Sequence, residues 1–260
     1  MQALTDSDRA FVQHVPRQRV TTYDGNTWEY FDCGKHSPQN AGLPPLVCLP
    51  GTSGSPRCFH LQLTALAAKG YRVLAVQHPV VWTHEEWIHS FDRFLDALGL
   101  EMVHIYGVSL GAYLAQRYAS LYPHRVASLV MTQGFCDTSV FSANAPWLKM
   151  LPYLPDFYVR KLMLERFPKQ AVRDPTHLQA IDYMVEQVQK LSQQEIASRL
   201  TLSTQPCDVA SWSLSLPDDK ITFIDAMIKS GGDFPFLSRH DEVTMYLQVH
   251  LRANGAFIVA

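Results

Sequence analysis

Val103-His104-Ile105-Tyr106-Gly107-Val108-Ser109-Leu110-Gly111-Ala112-Tyr113 is the stretch whose reading decides the fold. An apolar run ends in a glycine, a serine follows two residues later, a second glycine two after that, and an apolar-periodic helix begins at once. This is the arrangement of a nucleophile elbow, in which the chain turns sharply from strand to helix and holds a serine in a strained backbone conformation. Small flanking residues keep side chains out of the turn, and the helix N-terminus points free amides toward charge developing at the serine. The five-residue pattern alone is a weak signal, because glycine and serine are common in ordinary loops. Its context strengthens it: Met102 to Tyr106 reads as a strand, and Leu110, Tyr113, Leu114, Tyr118 and Leu121 fall at helical spacing.

Working outward toward the N-terminus, a helix carrying Trp87, Phe91, Phe94, Leu95 and Leu98 on one face precedes the elbow strand and closes at Gly99. Before it, Arg72 to Val76 is a strand ending in Gln77-His78-Pro79-Val80-Val81-Trp82, and Pro56 to Lys69 is a helix capped by Gly70. Leu46 to Leu49 is a short apolar strand that stops at Pro50-Gly51-Thr52-Ser53-Gly54. In a serine hydrolase such a turn supplies a backbone amide to the oxyanion hole. Proline has no amide hydrogen, so the donor here would be Gly51 or Thr52, partnered by the amide of Leu110; a plain strand-to-helix turn is the competing reading. Lys35 to Pro45 is a surface loop, Val20 to Tyr23 and Trp28 to Asp32 are strands around an Asp24-Gly25-Asn26 turn, and residues 1 to 19 read as a polar lead-in.

On the other side of the elbow, Val126 to Thr132 is a buried strand leading into Gln133-Gly134-Phe135-Cys136-Asp137-Thr138-Ser139. Strands alternating with helices in this way specify an α/β fold with a mostly parallel, right-handed wound sheet and helices on both faces. Ligands of such sheets bind beyond the strand carboxyl ends, where Ser109, Thr52, His78 and Asp137 would gather. Residues 140 to 216 change character: prolines punctuate helical runs and no strand pattern appears. They read as a helical cap over the strand ends, dividing the core into 1–139 and 217–260. Leu178, Ile181, Val185 and Val188 mark one amphipathic helix of the cap. Trp147, Tyr153, Phe157, Tyr158 and Trp212 read mostly as core, with a pocket roof or a partner surface as the alternative. The strand pattern returns at Ile221 to Asp225, and Val243, Leu247 and Leu251 lie on one face of a last helix.

Composition narrows the function. The 260 residues are 47% apolar, enough for a large core, and the formal charge of -2 gives no reason to expect nucleic acid or an anionic membrane surface as partner. Cys33, Cys48, Cys58, Cys136 and Cys207 show neither metal-ligand spacing nor a disulfide framework, so no metal or cofactor is expected. No apolar run approaches the roughly 18 residues of a membrane span, which points to a chain of a reducing, cytoplasmic compartment.

Several segments together resemble the maspardin family of the α/β-hydrolase fold. They are Gly70-Tyr71-Arg72-Val73, Gln77 to Trp82, Gly107 to Gln116, Asp137-Thr138-Ser139, Ala197-Ser198-Arg199-Leu200-Thr201-Leu202 and Gly231-Gly232-Asp233-Phe234-Pro235-Phe236-Leu237. The run within the cap is the most specific of them, because caps otherwise vary between hydrolases. The resemblance implies a cytosolic protein that reaches late endosomal and trans-Golgi membranes through protein partners. In that family these include the cytoplasmic tail of a T-cell coreceptor and an aldehyde dehydrogenase relative. It also implies action by binding rather than by hydrolysis.

The residues make their own case against ordinary catalysis. A serine hydrolase needs a base beside the serine, usually a histidine in a Gly-His-x-Pro-like loop after the last strand. Here that slot reads Gly232-Asp233-Phe234-Pro235. Carboxylates ordinarily titrate near 4, so aspartate is a far weaker base than imidazole. His78 and His240 are the candidate substitutes for the base, and Asp137 for the acid, with a turn or capping role as the alternative for Asp137. Only Ala226 to Ser230 separate Asp225 from Gly231, so the chain reads as shortened by about one crossover helix. That would bare one face of the sheet or leave the last strand without its right-handed crossover.

Overall fold

The computed structural model describes residues 2–35, 37–138, 146–167, 174–207, 214–224 and 232–256. Gln2–His14 forms a helix (α1) where the sequence shows only a polar lead-in. Its anchors come from elsewhere in the chain: Phe11 meets Phe31 edge-on at 5.0 Å, and the buried carboxylate of Asp8 accepts two hydrogen bonds from Arg57, at 2.9 and 2.5 Å. Helices short of about 15 residues draw most of their stability from such packing, which is why local pattern does not reveal this one.

Gln18–Thr21 (β1) and Thr27–Cys33 (β2) pair as an antiparallel hairpin around Gly25. Leu46–Leu49 (β3) follows, then a 3₁₀ turn, Pro56–Phe59, running into the helix His60–Ala67 (α2), and then the strand Val73–Val76 (β4). Thr83 and Glu86 form a reciprocal capping box at the start of His84–Ala97 (α3). The elbow strand Val103–Val108 (β5), its helix Leu110–Leu121 (α4) and the strand Val126–Thr132 (β6) come next. Between β6 and the following strand the described residues form no strand; their helical segments are a 3₁₀ run at Pro146–Tyr153, Asp156–Leu164 (α5), Pro175–Lys190 (α6), Gln193–Thr204 (α7) and a 3₁₀ turn at Asp218–Lys220. Ile221–Phe223 (β7), the short Pro235–Ser238 (α8) and His240–Ala253 (α9) complete the chain as described.

The sheet runs β1-β2-β4-β3-β5-β6-β7, parallel from β4 through β7, with β1 and β2 antiparallel at one end. Strands β3 to β6 are buried throughout, as expected where helices cover both faces. Alternate residues of one strand enter opposite cores. Cys48 packs with Leu63, Leu66 and Tyr106 under α1, α2 and α9, whereas Val47 and Leu49 pack with Trp87, Phe91 and Tyr113 under α3 and α4. The chain passes from β3 outward to β4 and then back past β3 to β5, so its direction of winding reverses between β3 and β5. A crevice opens beyond the carboxyl ends of two strands at such a point.

Three expectations change. The buried stripe of α6 is Ala180, Tyr183, Met184, Gln187 and Val188, one step round from the one read in the sequence, and Leu178 is exposed. Tyr153, Phe157 and Tyr158 are not core: they are 81%, 71% and 40% exposed, beside the exposed Met150. Trp212 and the side chain of Trp147 lie outside the described residues. The bare sheet face expected from the short connection is confined to the edge strand: β7 is only partly buried, and Phe223 is 51% exposed. Among the described residues no strand follows β7, and α9 lies across the sheet, with Leu247 and Leu251 in the same core as Tyr106. The imidazole of His250 ties this helix down, bonding the hydroxyls of Ser128 on β6 at 2.7 Å and Thr222 on β7 at 2.8 Å. Asp225 and the 226–230 connection lie outside the described residues.

Candidate functional site

The crevice between β3 and β5 is where the elbow sits. Ser109 has φ 51° and ψ -114°, a conformation that L-residues rarely adopt, and its amide donates to the Thr132 carbonyl at 2.9 Å. The two elbow glycines are required by close approach. A β-carbon at Gly107 would lie 2.5 Å from the Ala112 α-carbon, and one at Gly111 would lie 2.2 Å from the Leu49 carbonyl oxygen. Gly51 presses on the serine itself, for a β-carbon there would come within 3.2 Å of the Ser109 β-carbon.

Ser109 opens into a cavity of about 330 Å³. Gly51, Thr52 and Val108 line it from the strand ends, Asp233, Phe234 and Phe236 from the last part of the chain, and Met163, Arg166, Phe167 and Met184 from the helices after β6. Gln133, which like Ser109 has positive φ, and Ser203 add polar groups. Of the residues singled out in the sequence, Ser109, Gly51, Thr52 and Asp233 therefore meet at one cavity. Leu110 is buried beneath it, contributing the first amide of α4, which has no intrahelical carbonyl to bond. Asp137 follows β6 but does not line the cavity; its neighbour Thr138 donates to the Gln205 carbonyl at 2.5 Å.

His78 is not part of this cleft. It is buried, its Nε2 lies 2.7 Å from the Pro50 carbonyl, and its Nδ1 accepts from the Trp87 indole at 3.0 Å. That pairing requires the neutral Nε2-protonated ring, and burial pushes its pKa down to about 3. The lone histidine of the loop is thus a clamp between β3 and α3. His240 also fails as a base for Ser109, for it lines a separate groove with Phe11 and His14, and its Nδ1 lies 3.2 Å from Asp241. His84 is bonded to the Leu202 carbonyl and His250 to two hydroxyls in the core. His177, on α6, abuts Gly232 and shares a small neighbouring void with Asp233, but does not line the Ser109 cavity. Ten of the eleven histidines are among the described residues, and none of the ten lines that cavity.

The helix α7 is bolted to both strand-end loops by polar side chains. Ser198 donates to the Val81 carbonyl at 2.6 Å and accepts from the Val81 amide at 3.1 Å. Arg199, 1% exposed, donates through Nη1 to the Gly54 carbonyl and, at 3.4 Å, to that of Thr52. Its pKa falls to about 10 through burial, partly countered by Glu195. The Thr52 and Ser203 hydroxyls meet at 2.8 Å. These contacts explain why the Ala197 to Leu202 run is so particular: it carries the residues that hold the turn at Gly51 and Thr52. The sequence marked that run without giving it a role, and no local pattern singled out Arg166.

An elbow serine at the winding reversal of a mostly parallel sheet, under helices inserted between β6 and β7, defines the α/β-hydrolase fold. The alpha/beta hydrolase family matches residues 44–220. Maspardin of Mus musculus is 36% identical over 274 residues, covering 93% of this chain and 85% of that protein, and maspardin of Homo sapiens is 37% identical over 270 residues, covering 91% and 83%. The chain belongs to the maspardin family. An epoxide hydrolase of Vigna radiata superposes with a TM-score of 0.65 over 92% of this chain and 98% of its own, at 12% identity, a likeness of fold alone.

Proposed function

We propose that this chain is a non-hydrolytic member of its family that acts by binding, in the cytosol and, through protein partners, at endosomal and Golgi membranes. The observation that carries the reading is the cavity itself. It keeps the strained serine, and Gly51 and Thr52 of the turn after β3 line it, yet among the described residues no imidazole lines it, and Asp233 does. A serine hydroxyl without a base is a poor nucleophile at neutral pH. The alternative, a weak esterase using Ser109 with His78 or His240, asks for a base from a ring clamped in the core or from one in another groove.

Support for partner binding comes from Met150, Tyr153, Phe157 and Tyr158, which expose apolar surface within nine residues of one another. Clustered exposure of this kind marks interaction surfaces. No helix among the described residues is long and apolar enough to cross a membrane, so membrane association would be peripheral. The receptor tail and aldehyde dehydrogenase relative implied by the family resemblance are the partners to try first. Turnover of a short p-nitrophenyl ester should be the same for the protein and its Ser109→Ala variant. In pull-downs, Tyr153→Glu with Phe157→Glu should lose partners that Ser109→Ala keeps. Ester turnover that disappears with Ser109→Ala, or partners lost only with that variant, would reverse the reading.

A further inference from the structure

Away from the Ser109 cavity, a second crevice of about 510 Å³ lies at the seam between the sheet and the helices inserted after β6. We infer that it binds an extended peptide through its main chain, held by the side-chain amides of Gln77 and Gln187. Arg19 of β1 and Glu29 of β2, directly opposed in the hairpin, line one side of it. Ser55 and Gln77 come from the loops after β3 and β4, and Gln187 and Glu195 from α6 and α7. Gln187 is 1% exposed and Gln77 6%. Each uses one end of its carboxamide within the protein: Gln187 Oε1 accepts from the Ser55 hydroxyl at 2.9 Å, and Gln77 Nε2 donates to Glu195 Oε1 at 2.6 Å. A carboxylate only accepts, so the Gln77 oxygen is the end turned away from Glu195. That oxygen and Gln187 Nε2 have no hydrogen-bond partner among the described residues. Buried polar atoms are nearly always bonded, so two such side chains lining one crevice mark where a ligand completes the set.

The two open positions are an acceptor and a donor, the complement of the N–H and C=O of a peptide main chain. The charged groups that line the crevice are already matched: Arg17 and Arg19 with Glu29, Arg57 with Asp8, Lys190 with Glu186, and Glu195 with Gln77 and the start of α7. His78 offers nothing further, because both its ring nitrogens are bonded. An ionic ligand would have to displace one of these partners, whereas a neutral amide takes only what is open. The crevice volume of about 510 Å³ falls within the roughly 300–1,000 Å³ of ligand sites, room for a short stretch of peptide.

The probe is acetyl-trialanine amide, a neutral peptide, and its control is the same peptide N-methylated at all three alanine nitrogens, which keeps the carbonyls but cannot donate to Gln77 from those positions. Titration of the ¹⁵N-labelled protein, followed by NMR, should show saturable binding at one site with a shift of the Gln187 side-chain amide signal. The N-methylated peptide should bind roughly tenfold more weakly. Gln187→Met and Gln77→Met, which keep the volume and remove the amide, should each weaken the unmethylated peptide about fivefold. Where a variant fails to fold, the Gln187 signal and the N-methylated control still decide the matter in the parent protein. No saturable binding, equal binding of the two peptides, a Gln187 signal that does not move, or full affinity in either folded variant would overturn the inference. Ser109-dependent ester turnover would overturn the non-hydrolytic reading and leave this crevice untouched, so the two stand or fall separately.

Discussion

Arg199→Ala should lower the stability of the protein by about 3 kcal/mol, enough to move the thermal midpoint down by roughly 6–12 °C for a domain of this size. The guanidinium is buried and supplies the donors for the carbonyls of Thr52 and Gly54. Its removal strands two acceptors and opens a void between α7 and the turn after β3, and each unsatisfied buried acceptor costs about 1–3 kcal/mol. One effect works in the other direction. Arg199 Nε and Nη2 have no hydrogen-bond partner among the described residues, so deleting the side chain also relieves the desolvation of a poorly satisfied cation. Arg199→Met, which fills the volume but donates nothing, should therefore lose less, about 1–2 kcal/mol. Urea unfolding of the three proteins measures both values. An alanine variant within about 1 kcal/mol of the parent would show that Arg199 does not hold the turn.

Acid should unfold the protein from about pH 6 downward. Burial pushes the pKa of His78 down to about 3, and those of His104 and His250 to about 4, while an unfolded chain titrates near 6.5. Above pH 6.5 neither state binds protons at these rings and they make stability independent of pH. Below it the unfolded chain takes up protons that the folded one refuses, so stability falls by about 1.4 kcal/mol per pH unit per ring until the folded values are reached. Three rings together give a slope of about 4 kcal/mol per unit between pH 6 and 4, comparable in sum to the whole stability of an ordinary domain. His104 and His250 belong to one buried chain, each bonded to the Ser128 hydroxyl, at 2.6 and 2.7 Å. Denaturant midpoints measured from pH 7.5 to 4 should therefore fall steeply, and His250→Gln should flatten the slope by about one third. Stability that stays level down to pH 4.5 would show that these rings can be protonated in place.

How much of this was legible beforehand depended on whether the cause was local. The elbow was legible because its glycine–serine–glycine spacing is local, Gly107 answering a contact with Ala112 inside the same strand–turn–helix unit, even though Gly111 answers the Leu49 carbonyl of a neighbouring strand. The strands from Leu46 to Thr132 were legible because burial on both faces writes itself as continuous apolar runs. The helix α1 was not, since its anchors, Arg57 and Phe31, lie far away in sequence. His78 was misplaced for a related reason: a histidine after a strand end looks the same whether it opens into a cleft or is wedged between Pro50 and Trp87. Tyr153 and Phe157 show the converse limit, for aromatic residues at helical spacing are usually core, and only the three-dimensional arrangement reveals that these face outward. Arg166 carried no signal at all, because only the folded chain brings it to the rim of the Ser109 cavity.

The most direct test of the central claim, that Ser109 has no activating base, is intact-mass analysis after incubation with a fluorophosphonate at neutral pH, with Ser109→Ala alongside. Serine hydrolases with a competent base phosphonylate to one equivalent, and a hydroxyl without one reacts only at background rate. Equal, trace labelling of both proteins is the expected result. A single equivalent of adduct on the parent protein, mapped to Ser109 and absent from Ser109→Ala, would contradict it.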